Sequence, residues 1–245
     1  MTRDGHFALT TLLALGALAV GCKSASTHAV EVDTTPTFVG VAPNPAEMRD
    51  GARDGVMEMI AGEHAAYVVV GDPSDIPGVY RSPLEEQLTV VILHGRSGLT
   101  DYERRFADSL AELGFAAIVP DLGVAHHPVG APTTPEEFEA ITAALHHATE
   151  KLPVRARQVV VVGFADGAAH ALRVAAMEDH VSAVVAYTPP SNVPAPLDVE
   201  LLAFDGAAGF ERPDASTYDR SASAKAWSAV KSFLSKIYDP YLASS

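Results

Sequence analysis

Hydrophobic positions change period in a regular way along this chain. From Leu88 to His94 the residues are almost all apolar and often β-branched, the pattern of a strand buried on both faces of a parallel sheet. After His94, Gly95, Arg96, Ser97 and Gly98 the period lengthens. Tyr102, Phe106, Leu110 and Leu113 recur at helical spacing, and Gly114 supplies the stop. Phe115 to Pro120 reads as the next strand. Thr134 and Glu137 then form a capping box around Pro135 at the first helical position, and Phe138, Ile141, Leu145, Ala148 and Leu152 give that helix one apolar stripe. Gln158 to Gly163 predicts a strand running into a helix from Gly167 to about Met177, and Val181 to Tyr187 predicts another strand.

This alternation of strand and helix predicts an α/β fold with a doubly wound, mostly parallel sheet and helices on both faces. Two strands at one edge, Val56 to Ile60 and Ala65 to Gly71, precede it, joined around Gly62 and Glu63. A last short strand, Val199 to Phe204, follows it. Trp227, Val230, Leu234 and Ile237 give a closing helix its buried face. The link from Thr188 to Leu197 holds Pro189, Pro190, Pro194 and Pro196 and cannot be helical, although a parallel crossover usually is.

The first residues follow a different logic. Arg3 precedes an apolar run from Phe7 to Val20 that is too short for a good membrane span, which marks residues 1–21 as a secretory signal. Ala19, Val20 and Gly21 lead into Cys22, the only cysteine, and resemble the lipobox of bacterial lipoproteins, although Ala19 stands where leucine is commoner. That resemblance implies cleavage before Cys22 and its diacylation, with the protein anchored to the bacterial cell envelope; an ordinary signal peptide is the alternative. Lys23 after the cysteine favours an outer membrane if the cell has one. Residues 22–53 are rich in Ser, Thr and Pro and are expected to be a flexible tether, followed by the domain at 54–238 and a tail at 239–245. A formal charge of -14 argues against binding nucleic acid. One cysteine excludes a zinc site built from several thiolates, and no carboxylate motif completes a metal site with His126 and His127; no metal and no cofactor are expected.

Gly163, Phe164, Ala165, Asp166 and Gly167 have the spacing of a nucleophile elbow, with small residues flanking a sharp strand-to-helix turn. The apex is Ala165, which has no atom able to attack a carbonyl. Here the sequence resembles the dienelactone hydrolase family of the α/β-hydrolase superfamily, over roughly residues 54 to 238. Four passages carry the resemblance: Val90 to Gly98, Glu112 to Leu122, the elbow, and the tail from Gly206 to Asp214 with Tyr218, Asp219, Ala226 and Trp227.

The resemblance implies an oxyanion loop at His94, Gly95 and Arg96, with backbone N–H groups from Arg96 and Asp166. It also implies a histidine directly before Gly209 and Phe210, where Ala208 stands. No histidine follows His180, and the interval that should carry the acid leaves Asp198 and Asp205 without a recognisable catalytic position. The sheet is therefore expected to be truncated near its C-terminal strands.

No catalytic residue is secure on this reading. It leads to an exported lipoprotein whose hydrolase-like domain is an inactive pseudoenzyme, retained to bind a small apolar or carboxylate ligand or an envelope protein. One alternative is an ester or lactone hydrolase with relocated groups, Asp166 acting with His126 and His127. A register shifted to Asp166 would, however, put Phe164 where a small residue is needed. A purely structural envelope protein is the other. If Cys22 carries the lipid, Cys22→Ser leaves the product unprocessed or soluble, whereas the parent partitions into the membrane fraction on sedimentation.

Overall fold

The computed structural model describes residues 27–31, 55–60, 64–71, 88–124, 131–152, 159–196 and 198–238. The signal region, Cys22, His126, His127 and the tail 239–245 lie outside them. Strands β1 (Thr27–Glu31), β2 (Val56–Ile60), β3 (His64–Val70), β4 (Thr89–Leu93), β5 (Ala116–Pro120), β6 (Val159–Phe164), β7 (Val181–Tyr187) and β8 (Glu200–Asp205) form one sheet in the order β1-β8-β7-β6-β4-β5-β3-β2. Among these eight strands, β3 alone is reversed relative to the rest, antiparallel to both β5 and β2. The carboxyl ends of β4, β5, β6, β7 and β8 therefore share one edge.

Side-chain alternation divides the core into two layers. Val160, Val162 and Phe164 of β6 face helices α1 (Asp101–Glu112) and α4 (Arg220–Tyr238), with Phe106, Leu110, Trp227, Val230 and Leu234. Val159 and Val161 face α2 (Pro135–His146) and α3 (Asp166–Ala175), with Ile141, Leu145, Ala168 and Leu172. The period-two strand and the 3.6-residue helix stripes seen in the sequence are these two layers. A π-helical turn, His147–Lys151, carries the stripe of α2 on to Ala148 and Leu152.

Thr27–Glu31, inside the expected tether, is a strand paired parallel to β8. Edge pairing draws on backbone hydrogen bonds to the neighbouring strand, so a polar segment can take it without an apolar signature. The proline-rich link delivers β8 directly beside β7 in parallel, with no helix among its described residues. It covers residues 188–199 and includes a turn closed by the Val193 N–H on the Pro190 carbonyl, yet is long enough to return to the amino end of the sheet.

α1 ends in a Schellman motif: Phe115 N–H donates to the Leu110 carbonyl at 3.1 Å and Gly114 N–H to that of Ala111 at 2.9 Å. Gly114 sits at φ +90°, where a Cβ is strained. Gly114→Ala is expected to cost about 1 kcal/mol, read as a lower urea midpoint with unchanged slope.

Candidate functional site

Strand β6 and helix α3 meet at the carboxyl edge in a turn that leaves no room for side chains on its flanks. A Cβ on Gly163 would land on the Gly167 carbonyl and the Ala168 backbone, and one on Gly167 would strike the carbonyls of Leu93 and His94. With both sides pressed together, the apex residue takes up the reversal. Ala165 stands at φ 50°, ψ -109°, a conformation that costs a non-glycine residue about 1–3 kcal/mol. Its N–H donates to the Tyr187 carbonyl at 2.9 Å, and its carbonyl accepts from Ala168 at 3.0 Å. The elbow backbone is complete around a methyl group.

The loop after β4 closes over this apex. Gly95 lies against it: a Cβ there would be 3.3 Å from the Phe164 carbonyl oxygen and 3.8 Å from the Ala165 Cβ. His94 is buried, and its ring joins two loops. Nε2 accepts from the Leu122 N–H at 2.9 Å, which leaves the proton on Nδ1, 2.8 Å from the Gly95 carbonyl. Both nitrogens are thus used in holding the loops after β4 and β5 together. The Asp121 carboxylate, at 4.0 Å, is beyond hydrogen-bond reach of Nε2.

Asp166 opens α3 and is 3% exposed, and its carboxylate lies 3.7 Å from the Arg96 Nε. A helix N-terminus favours such a carboxylate. The structure thus brings His94, Gly95, Arg96, Ala165 and Asp166 into one cluster with Gly163 and Gly167 beneath it. Asp205 ends β8 and is exposed; Asp198, also exposed, precedes that strand at the opposite end of the sheet. Among the described residues, no three of His, Cys, Asp and Glu come together in a group that could hold a metal ion.

The tail loop contains a buried polar group that the sequence did not disclose. Ala208, at the implied histidine position, receives the Thr217 hydroxyl on its carbonyl at 2.7 Å, and Gly209 turns the chain at φ +85°. Phe210 then packs on Tyr187, whose ring also meets Phe164 at a centroid distance of 4.8 Å. Arg212 lies 5.5 Å from the Tyr102 ring centre, 3.6 Å from Glu103 and 2.9 Å from Asp214. Its hydrogen bond holds the Asp214 carboxyl below the usual range. Glu103 caps α1 through Thr100 and is fully buried. Thr100 and Glu103 have capping-box spacing, which was a readable signal; Glu211, beside Phe210, has none.

Burial raises the Glu211 carboxyl to about 7, with Glu103 and Asp214 adding to the effect and Arg212 opposing it. Burial likewise pushes the phenols of Tyr102 and Tyr187 well above 10. A second polar group lies on the other side of the sheet. There the His170 Nδ1 is 2.8 Å from the Thr133 hydroxyl and its Nε2 is 3.8 Å from Glu137. With Arg173 donating to the Ala131 carbonyl at 2.7 Å, it fixes the segment before α2 against α3.

A doubly wound sheet with a strained strand-to-helix elbow at the carboxyl end of its central strand defines the α/β-hydrolase fold. The chain belongs to the dienelactone hydrolase family, whose model matches residues 76–200. The match includes the elbow and the loop after β4 but stops before the tail from Gly206 to Asp214. Solved structures agree on the fold. A dienelactone hydrolase candidate from Klebsiella pneumoniae subsp. pneumoniae MGH 78578 is 15% identical, covers 76% of this chain and 100% of its own, and has a TM-score of 0.55. A dienelactone hydrolase-like promiscuous phosphotriesterase from metagenomic libraries is 19% identical over 76% of this chain and 99% of its own, with a TM-score of 0.56. Among curated proteins, none matches the sequence significantly.

The raised Glu211 carboxyl makes stability depend on pH. Below about 4.5 the group is protonated in both folded and unfolded chains; between 4.5 and 7 only the folded chain keeps the proton. Its contribution is therefore full at the acid end and declines as pH rises through that window, by about 3 kcal/mol in total. Glu211→Gln is expected to flatten this decline and to raise the urea midpoint at pH 8 relative to the parent.

Proposed function

We propose that this protein is an exported lipoprotein whose dienelactone hydrolase-family domain binds its ligand without turning it over. The supporting observation is Ala165 at φ 50°, ψ -109°. The backbone that would present a nucleophile is held at its cost in strain, while the side chain supplies only a methyl group. Losing a nucleophile or its histidine removes about six orders of magnitude from kcat, and what remains comes from binding and backbone donors. Those donors need neither serine nor histidine, and they suit a carboxylate or an ester carbonyl oxygen on a small apolar ligand.

A relocated nucleophile at Asp166 draws no support from its surroundings. The side chain is 4% exposed and faces Arg96, and Phe164 before it packs edge-on against Tyr102 and Phe106. His94 is equally unsuited to serve as a base, since both of its nitrogens are engaged between loops. The envelope location rests on the lipobox-like run ending at Cys22.

The test is hydrolysis of p-nitrophenyl esters and dienelactone, with fluorophosphonate labelling, by the parent and by Ala165→Ser and Ala165→Cys. The parent is expected to show neither turnover nor label. Serine is expected not to restore turnover, because it lacks a histidine oriented by an acid; cysteine gives at most a trace burst. Recovery by Ala165→Ser to about 10 per second, an ordinary enzyme rate, would establish a working base and overturn the reading.

A further inference from the structure

The strand register fixes which end of the domain the N-terminus approaches. Thr27 pairs with Leu201 and Glu31 with Asp205, so β1 enters below the middle of β8 and leaves at the carboxyl edge. Through β7 and β6 the same rows can be followed inward: Leu201 is level with Val184, and Val184 with Val161. Thr27 thus lies four residues below the elbow apex Ala165 in strand register, about 13 Å at 3.3 Å per residue. Cys22 precedes Thr27 by five residues, which reach at most about 17 Å when fully extended.

We infer that β1 sets the amino end of the sheet toward the membrane and holds the elbow facing away from it. This inference rests on the lipid-anchor reading of Cys22 given above. With the elbow down, those few residues would have to run back along the edge and also clear the loops that rise beyond the carboxyl ends, including the tail from Gly206 to Asp219. The reach of the chain is used up before that. With the elbow up, the chain simply continues the direction of β1.

Exposed apolar side chains lie at both ends of the sheet, Met177 (65% exposed) between α3 and β7 at the amino end and Val124 (58% exposed) at the carboxyl end, so the reach of the chain alone carries the orientation. A ligand would therefore reach the elbow from the aqueous side. A domain on a tether some thirty residues long would have no such preference, since a flexible linker of that length lets a domain turn freely.

The test uses the full chain, processed and acylated in a lipoprotein-producing bacterium and reconstituted into phosphatidylethanolamine–phosphatidylglycerol vesicles containing a membrane-embedded energy acceptor. A donor dye is placed at Met177→Cys, at the amino end, or at Val124→Cys, which is 58% exposed beside the oxyanion loop at the opposite end. Transfer from residue 177 is expected to be severalfold stronger than from residue 124. Introducing proline at both His28 and Ala29, which breaks pairing with β8, is expected to remove the difference while the protein stays on the vesicles. Failure of the parent protein to sediment with the vesicles overturns the anchor reading and this inference with it. Sedimentation with equal or reversed transfer overturns the orientation alone, as does a difference that survives the two prolines.

Discussion

The close approach of β6 and α3 governs the rest of the carboxyl edge. Because Gly163 and Gly167 let backbone press on backbone, the chain must reverse within one residue, and Ala165 is forced to φ 50°. The reversal sets the N-terminus of α3 at the edge, places Asp166 beside Arg96, and brings the loop after β4 down on the apex. His94 then ties that loop to the one after β5. None of these contacts requires a reactive side chain at the apex. The architecture of the site and its chemistry are therefore separable.

Much of this was legible because the signals were local and periodic. The valine run into Gly163 and the glycine at 167 announced both the central strand and the elbow, and the boundaries of the strand from Val181 to Tyr187 matched those observed. The Thr134 capping box and the Gly114 stop were equally plain, since each is written in the residues that form it. Less was legible where the cause is distant. Thr27–Glu31 owes its strand to β8, and Glu211 owes its raised proton affinity to burial among groups from α1, β7 and the tail loop. No pattern within those segments could have announced either.

The tail loop differs in character from the elbow. Where the family resemblance implies a histidine, the chain turns at Gly209, seats Phe210 on the aromatic cluster and draws Arg212 toward Glu103. Breaking one partner of such a buried charged group costs more than the pair contributes, since the other is left without compensation. That makes the loop resistant to piecemeal change. Placing a histidine before Gly209 would require rebuilding several of these contacts together.

The pairing of β1 with β8 also bears on how the molecule comes into being. Thr27 and Leu201 are separated by 174 positions, nearly the length of the domain. A chain that emerges from a ribosome or passes a narrow pore N-terminus first offers its earliest strand when the partner does not yet exist. Contacts so far apart in sequence form late, because the closure entropy must be met before they give any return. The sheet therefore stays open at one edge until the last strand has been delivered. During that interval the edge of β7 that β8 will cover is exposed to pairing with other chains.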